Sequence, residues 1–394
     1  MVHIVEIDDS TERHDDLADI DDNISDGTSE AESEDEPGEE ADATSMPSEL
    51  KTLSGLSGLT LDGAASLSTA AVSDWLTLVA SFGESGTDLG QFDQPWGITF
   101  LPTGDLCIAE RGGPRLQVIS DAFGFASCGM DARVNASHCK AISLPAGAVD
   151  DVQDIYCDGE ALFVADMGNH CVHHLALPDG TALSAIRGEK AQEMSYPRAI
   201  ATERRERGAN EPAVGPQLPE QLLFICDSGN GRILAYDTAT FAHVRSIGRQ
   251  SDPHTADFVE GELALPLGVC AHRGDIYVVD GHKHRISVFK ASSGAFLRSI
   301  GGPGSKPGQL KSPFGALVVR GMLVVTEATR VQVMTLDGVP RLTLEIPGAQ
   351  NLSGLTADDD ETCVYVCDTS RGCVYALAVN WSDEGDRFAE MLNE

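Results

Sequence analysis

Six carboxylates occupy places from which chemistry could be done. Glu110, Asp166, Asp227, Asp280, Glu327 and Asp368 each close a short apolar run: DLCIAE, ALFVAD, LLFICD, DIYVVD, MLVVTE and CVYVCD. A carboxylate beside apolar residues can serve as a general acid or base, or as a ligand to a hard cation. A catalytic group is needed once, however, and these acids recur 56, 61, 53, 47 and 41 residues apart, so they read as part of a repeated unit. Placed before a turn, each can accept backbone N–H bonds and hold a following Gly-Asn in its positive-φ geometry. The ten cysteines include no CxxC pair, and the spacing of Cys363, Cys367 and Cys373 matches no zinc pattern. Cys226 and Cys367 fill one repeat position and Cys171 and Cys373 another, as small apolar core residues would. Ser29 and Ser33 stand directly before acidic runs, SEAE and SEDE, the context read by acidophilic kinases.

The elements that must position these residues are hairpins. In LLFICDSGNGRILAYD, a β-prone run from Leu222 to Cys226 ends in Asp227, SGNG turns the chain, and Arg232 to Tyr236 returns. An isolated hairpin is marginal in water, so the copies must stack to bury a core. Each later unit reads as strands a, b, c and d. WLTLVASFG, from Trp75, instead matches the ends of the third and fourth units, VRSIG and LRSIG, and the sixth unit stops after strand c at Val379. The orphan N-terminal strand therefore supplies strand d of the last unit, and a ring closed in this way has no open sheet edge.

The chain has 394 residues and a formal charge of −35, of which residues 1 to 42 supply −17. A net-acidic protein repels phosphate backbones and anionic membranes at long range, so nucleic acid is an unfavoured partner. The N-terminus lacks the basic and apolar regions of a secretory signal, and no run approaches a membrane span; a soluble cytoplasmic protein with reduced cysteines is expected. Residues 1–48 are acidic, Ser-rich and poor in large apolar groups, and are expected to be disordered. Residues 49–74 form a Leu/Ser/Gly-rich linker whose Leu53, Leu56, Leu59 and Leu61 resemble a nuclear export pattern, which implies shuttling through the nucleus. The repeats occupy 75–380, and 381–394 reads as a short helical extension.

The motifs GQFDQPWGITF, LFVADMGNH, FICDSGNGRI, YVVDGHKHRISVF and GQLKSPFGALVV resemble NHL repeats, whose pattern is P-x-G, VAD, a GN turn and an Arg-Ile-x-Val-Phe strand. The second unit departs from the pattern, with Val152-Gln153-Asp154 in place of P-x-G, and the fifth has its turn shortened to ATR. The resemblance implies an all-β, six-bladed propeller of NHL type. It is closed by the N-terminal strand and preceded by the disordered acidic tail. Arg115, Arg232 and Arg285 are expected to pair with acids between blades. The connections Gly83–Pro95, Cys128–Asp150 and Gly248–Pro266 read as long d-to-a links, and Thr202–Gln221, with Arg204, Arg205 and Arg207, as a projecting insertion.

In that layout the b–c turns and d–a connections surround the top of a central channel. The middle P-x-G residues, Trp96, Gln153, Arg198, Leu267, Phe314 and Ser353, should ring its mouth, with Arg111, Lys190, Lys283, Lys306, Lys311 and Arg371 making a basic rim. Two aromatics and an arginine among small polar groups suit a protein or peptide partner. The expectation is a non-enzymatic scaffold without cofactor or metal, similar to the propellers of tripartite-motif ubiquitin ligases and able to recruit substrates for ubiquitylation. The acidic tail, more so when Ser29 and Ser33 carry phosphate, would compete with acidic ligands for the rim. Two alternatives follow from other resemblances. One is a metal-dependent propeller enzyme: a gluconolactonase-like type, disfavoured because the ring lacks carboxylates, or an amidating-lyase type with His170, His173, His174, His282 and His284 as candidate ligands. The other is an RNA-binding NHL propeller.

Overall fold

β-branched and aromatic residues recur in the apolar runs, and a strand built from them buries two faces against two different neighbours. The computed structural model describes residues 75–380 apart from 114, 122–123, 143, 145–148, 189–192, 205–218 and 252–258. The tail, linker and C-terminal extension lie outside these, as do Ser29, Ser33, the four spaced leucines, Lys190, Arg205 and Arg207. The described residues form six four-stranded sheets, each an antiparallel blade running from inner strand a to outer strand d. Blade 1 is Pro95–Phe100, Leu106–Glu110, Arg115–Ile119 and Cys139–Ile142; blade 2 is Val152–Cys157, Ala161–Asp166, Cys171–Ala176 and Ala182–Ile186. Blade 3 is Pro197–Arg204, Gln221–Asp227, Arg232–Asp237 and His243–Ile247; blade 4 is Pro266–His272, Asp275–Asp280, Arg285–Lys290 and Phe296–Gly301. Blade 5 is Ala316–Val319, Met322–Thr326, Arg330–Thr335 and Pro340–Glu345. Blade 6 is Leu352–Ala357, Cys363–Asp368 and Cys373–Val379, completed by Leu76–Phe82 from the start of the propeller. No described helix is long and apolar enough to cross a membrane.

The closing strand has the expected register, Leu76 opposite Val379 and Phe82 opposite Val374. Its other edge is covered as well: Ala132 N–H donates to Ser81 O at 2.9 Å, Gly83 N–H to Ala132 O at 2.9 Å, and Ser81 N–H to Gly129 O at 3.1 Å. The a strands touch in sequence around the channel and return to the first, so the ring is complete. Among the described residues the core is divided into six clusters between neighbouring blades and a smaller one at the channel mouth, because successive side chains of a strand face opposite ways. Leu106 and Ile108 pack toward blade 6, whereas Cys107 and Ala109 pack toward blade 2. Cys226, Cys367 and Cys373 are buried in these clusters, and Cys171 is buried outside them.

Three expectations need correction. The outer strand of blade 1 is Cys139–Ile142, so the long segment before it joins strands c and d rather than blades 1 and 2. That segment carries Phe125 into the closing core, where its ring lies 5.7 Å from Phe82 and 5.9 Å from Tyr365. The arginine–acid pairs form within a blade, from strand c to the acid ending strand b: Arg115–Glu110 at 3.0 Å, Arg232–Asp227 at 2.7 Å and Arg285–Asp280 at 3.3 Å. The same arginines reach carbonyls of the segment entering the blade, such as Glu193 O for Arg232 and Glu262 O for Arg285. The insertion after strand a of blade 3 begins later than Thr202, since that strand continues to Arg204.

Candidate functional site: the central channel and its mouth

The acids closing the b strands position the mouth. Each is buried and accepts backbone N–H bonds from the segment leading into its blade. Glu110 holds Asp93 N, Asp227 holds Ser195 N, Asp280 holds Leu265 N, Glu327 holds Lys311 N, and Asp368 holds Gln350 N. From these anchors the a strands enter the channel, and in five blades the start of strand a carries a register shift that turns the residue after the first position toward the axis. In blades 1, 4, 5 and 6 the residue that follows is a glycine, which allows neighbouring a strands to approach. A Cβ on Gly97 would lie 2.6 Å from Asp154 Cα, and one on Gly354 would lie 2.2 Å from Trp96 O.

Trp96, Gln153, Arg198, Leu267, Phe314 and Ser353 all line the channel, which encloses about 220 Å³. The ring is less open than the sequence suggests. Five of the six are buried and Trp96 is half-buried. Trp96 meets Phe314 edge-on at 5.9 Å, and Leu265, Leu267 and Phe314 form an apolar cluster beside it. Arg111, from the b–c turn of blade 1, lies over the Trp96 ring at 4.6 Å and pairs with Asp151 at 3.1 Å. The Asp151 carboxylate also accepts from Gln153 Nε2 at 2.7 Å, so one network joins Trp96 to Gln153 across two blades. Ser353 Oγ accepts from Thr369 Oγ1 at 2.9 Å. The basic rim is partly neutralised, because Arg371 pairs with Asp131 at 2.6 Å and bonds the Tyr375 hydroxyl; Lys283 is half-buried, and Lys306 and Lys311 are exposed.

The ring lacks carboxylates, but the channel wall beside it does not. Asp154 takes the place of the P-x-G glycine in blade 2 and is the one acidic residue lining the channel among the described residues. Its Oδ2 accepts from Ile200 N at 2.9 Å, tying blade 2 to blade 3. Asp154 is half-buried in the channel wall, and desolvation by the protein around it pushes its carboxyl up to about 7. Next to it, Gln153 Oε1 is buried with no hydrogen-bond donor among the described residues. A carboxyl able to exchange a proton near neutrality is a candidate acid or base. One carboxylate and one amide oxygen fall short of the roughly six to eight oxygens that calcium takes. The sequence signal for Asp154 was the break in P-x-G itself.

The histidines have separate roles. His170 and His284 both adopt positive φ at the end of a b–c turn, and each ring Nδ1 accepts a backbone N–H from the next blade's entry, Tyr196 at 3.1 Å and Ser312 at 2.9 Å. His174 stacks on Phe163 at 5.0 Å, and His282 is half-buried in the blade 4 turn. His173 is buried against Asp166 and Cys171. The five do not converge on one centre as a lyase-type ligand set would.

Six four-stranded blades around a channel, the last completed by the first strand of the ring, define a six-bladed β-propeller. The family model of the NHL repeat matches residues 263–289, which run through strands a, b and c of blade 4. No curated protein matches it in sequence. Among solved structures it is similar to a gluconolactonase from Xanthomonas campestris, with 14% identity over 79% of this chain and 93% of that chain and a TM-score of 0.53. At that identity the likeness is one of fold.

Proposed function

We propose that the propeller is a non-enzymatic scaffold whose channel mouth binds a protein or peptide segment. The observation that supports this reading is the half-buried Trp96, fixed between the Phe314 ring and the Arg111 guanidinium. Aromatics and arginines held rigid in this way lose little entropy on binding and dominate interface energies. Such a scaffold would recruit a bound protein for ubiquitylation when a partner supplies the ligase. Affinity purification with the full chain, compared with Trp96→Ala and Arg111→Ala, tests the reading. A partner that binds directly when purified, and is lost in both variants at unchanged melting temperature, supports it; equal binding by all three chains contradicts it.

A second reading, a propeller hydrolase, is favoured by Asp154 in the channel together with the gluconolactonase likeness. Lactone hydrolysis assayed with added divalent cations, on the wild type and Asp154→Asn, tests it. Turnover abolished in Asp154→Asn would favour the enzyme over the scaffold.

A further inference from the structure

Blade 2 departs from its neighbours at the base of the b–c hairpin. In blade 1 the closing acid Glu110 is held by Arg115 at 3.0 Å and Gln117 at 2.6 Å, and in blade 5 Glu327 is held by Arg330 at 2.9 Å and Gln332 at 2.6 Å. The register puts Cys171 opposite Asp166 as Arg115 is opposite Glu110, and His173 opposite Val164 as Gln117 is opposite Ile108. Blade 2 thus replaces an arginine and a glutamine by a thiol and an imidazole around the same acid.

All three side chains are buried, and their donor atoms lie within 4.8 Å of one another. His173 Nε2 is 2.9 Å from Asp166 Oδ2 and 3.4 Å from Cys171 Sγ. Both contacts fall on one ring nitrogen. In a nucleophilic Cys-His-Asp relay the thiol and the carboxylate use opposite nitrogens of the ring, so this is not such a relay. Sulfur, nitrogen and oxygen donors instead converge on one point, which is the arrangement of a metal site.

We propose that Asp166, Cys171 and His173 bind one zinc ion. Zinc takes mixed S, N and O donors, and bonds of about 2.0–2.1 Å to nitrogen and about 2.3 Å to sulfur give a tetrahedral N···S edge of about 3.6 Å, close to the separation found. The N···O contact is that of a shared proton and opens by about 0.5 Å when the metal takes the proton's place. Binding displaces one proton from Nε2 and one from the thiol, both released to solvent, and leaves imidazole, thiolate and carboxylate as ligands. Water or an incoming donor completes the tetrahedron. The other carboxylate oxygen is already oriented, since Asp166 Oδ1 accepts from Asp150 N and Asp151 N at 3.3 Å and from Asn169 N at 3.1 Å. All three ligands come from one hairpin, and the site stands independently of the recognition reading at the mouth.

The test uses the full chain, stripped with a chelator and titrated with zinc chloride against a chromophoric chelator, with metal content measured after gel filtration. The expected result is one zinc per chain, a higher melting temperature with zinc, and at least about 100-fold weaker binding in Cys171→Ala and in His173→Gln. Cys171→Arg combined with His173→Gln gives blade 2 the arginine and glutamine of blade 1, and this variant is expected to fold and bind no zinc. Cobalt(II) in place of zinc gives a thiolate charge-transfer band in the wild type that Cys171→Ala lacks, a readout that holds even if the double variant does not fold. No stoichiometric zinc in the wild type, or a cobalt band unchanged by Cys171→Ala, overturns the proposal.

Discussion

The guanidinium of Arg111 lies over the ring of Trp96 at 4.6 Å while its Nε is held by Asp151 of the next blade at 3.1 Å. The cation is therefore positioned by one blade for the aromatic of another, and the pair is set before any ligand arrives. Arg111 is partly exposed, so its ion pair contributes at most about 1 kcal/mol to the fold. Arg111→Ala should leave the urea midpoint nearly unchanged yet weaken partner binding by about 10-fold, the scale of one aromatic–cation contact. Isothermal titration alongside denaturation separates the two effects, and a large loss of stability without loss of affinity would make Arg111 a structural residue only.

Closure of the ring rests on apolar burial more than on charge. Phe82 is fully buried between blades 6 and 1, and Phe82→Ala should cost about 3–5 kcal/mol. The Arg371–Asp131 pair, with side chains 33% and 69% exposed, fastens the covering segment to blade 6, but Asp131→Ala should cost no more than about 1 kcal/mol. Deleting 76–82 should abolish cooperative unfolding, whereas deleting 1–48 should leave the melt unchanged. Equal melting curves for the two truncations would show that the N-terminal strand does not complete the last blade in solution.

Asp154 makes stability depend on pH in an unusual direction. Its carboxyl is raised by burial from the ordinary value of 3.8 to about 7, so across that window the folded chain keeps a proton that the unfolded chain has released. This group therefore favours the fold more as pH falls from about 7 to about 4. Asp154→Asn cannot ionise and keeps an acceptor for Ile200 N–H. It should be more stable than the wild type at pH 8 by about 1–4 kcal/mol and equal to it near pH 4. A variant less stable at pH 8 would mean that the charged carboxylate has a partner in the channel, as a cation-binding enzyme would require.

The ring was legible in the sequence because its punctuation repeats. WLTLVASFG carries the same ending as later blades, and Pro or Gly marks where five of the six a strands enter the channel. The outer strand of blade 1 was not legible, since Cys139, Lys140 and Ala141 are exposed or half-buried and show no apolar alternation. The six mouth residues could be placed around the axis, but their burial depends on how closely the a strands approach, a distance set by Gly97, Gly268, Gly315 and Gly354 together. Asp154 was passed over because it stood where a glycine was expected. The sequence reads Asp166 as a turn acid, Cys171 as a core thiol and His173 as one of five candidate histidine ligands, and only strand register brings the three together.

The recognition reading is tested most directly at Trp96, the half-buried residue of the ring. With a partner identified from the full chain and then purified, its affinity should fall by about 2 kcal/mol or more, at least about 30-fold, in Trp96→Ala. The melting temperature of that variant should stay within a few degrees of the wild type, because Trp96 is the least buried member of the mouth. An affinity unchanged by Trp96→Ala would place the partner elsewhere on the propeller and contradict the assignment of the channel mouth as its site.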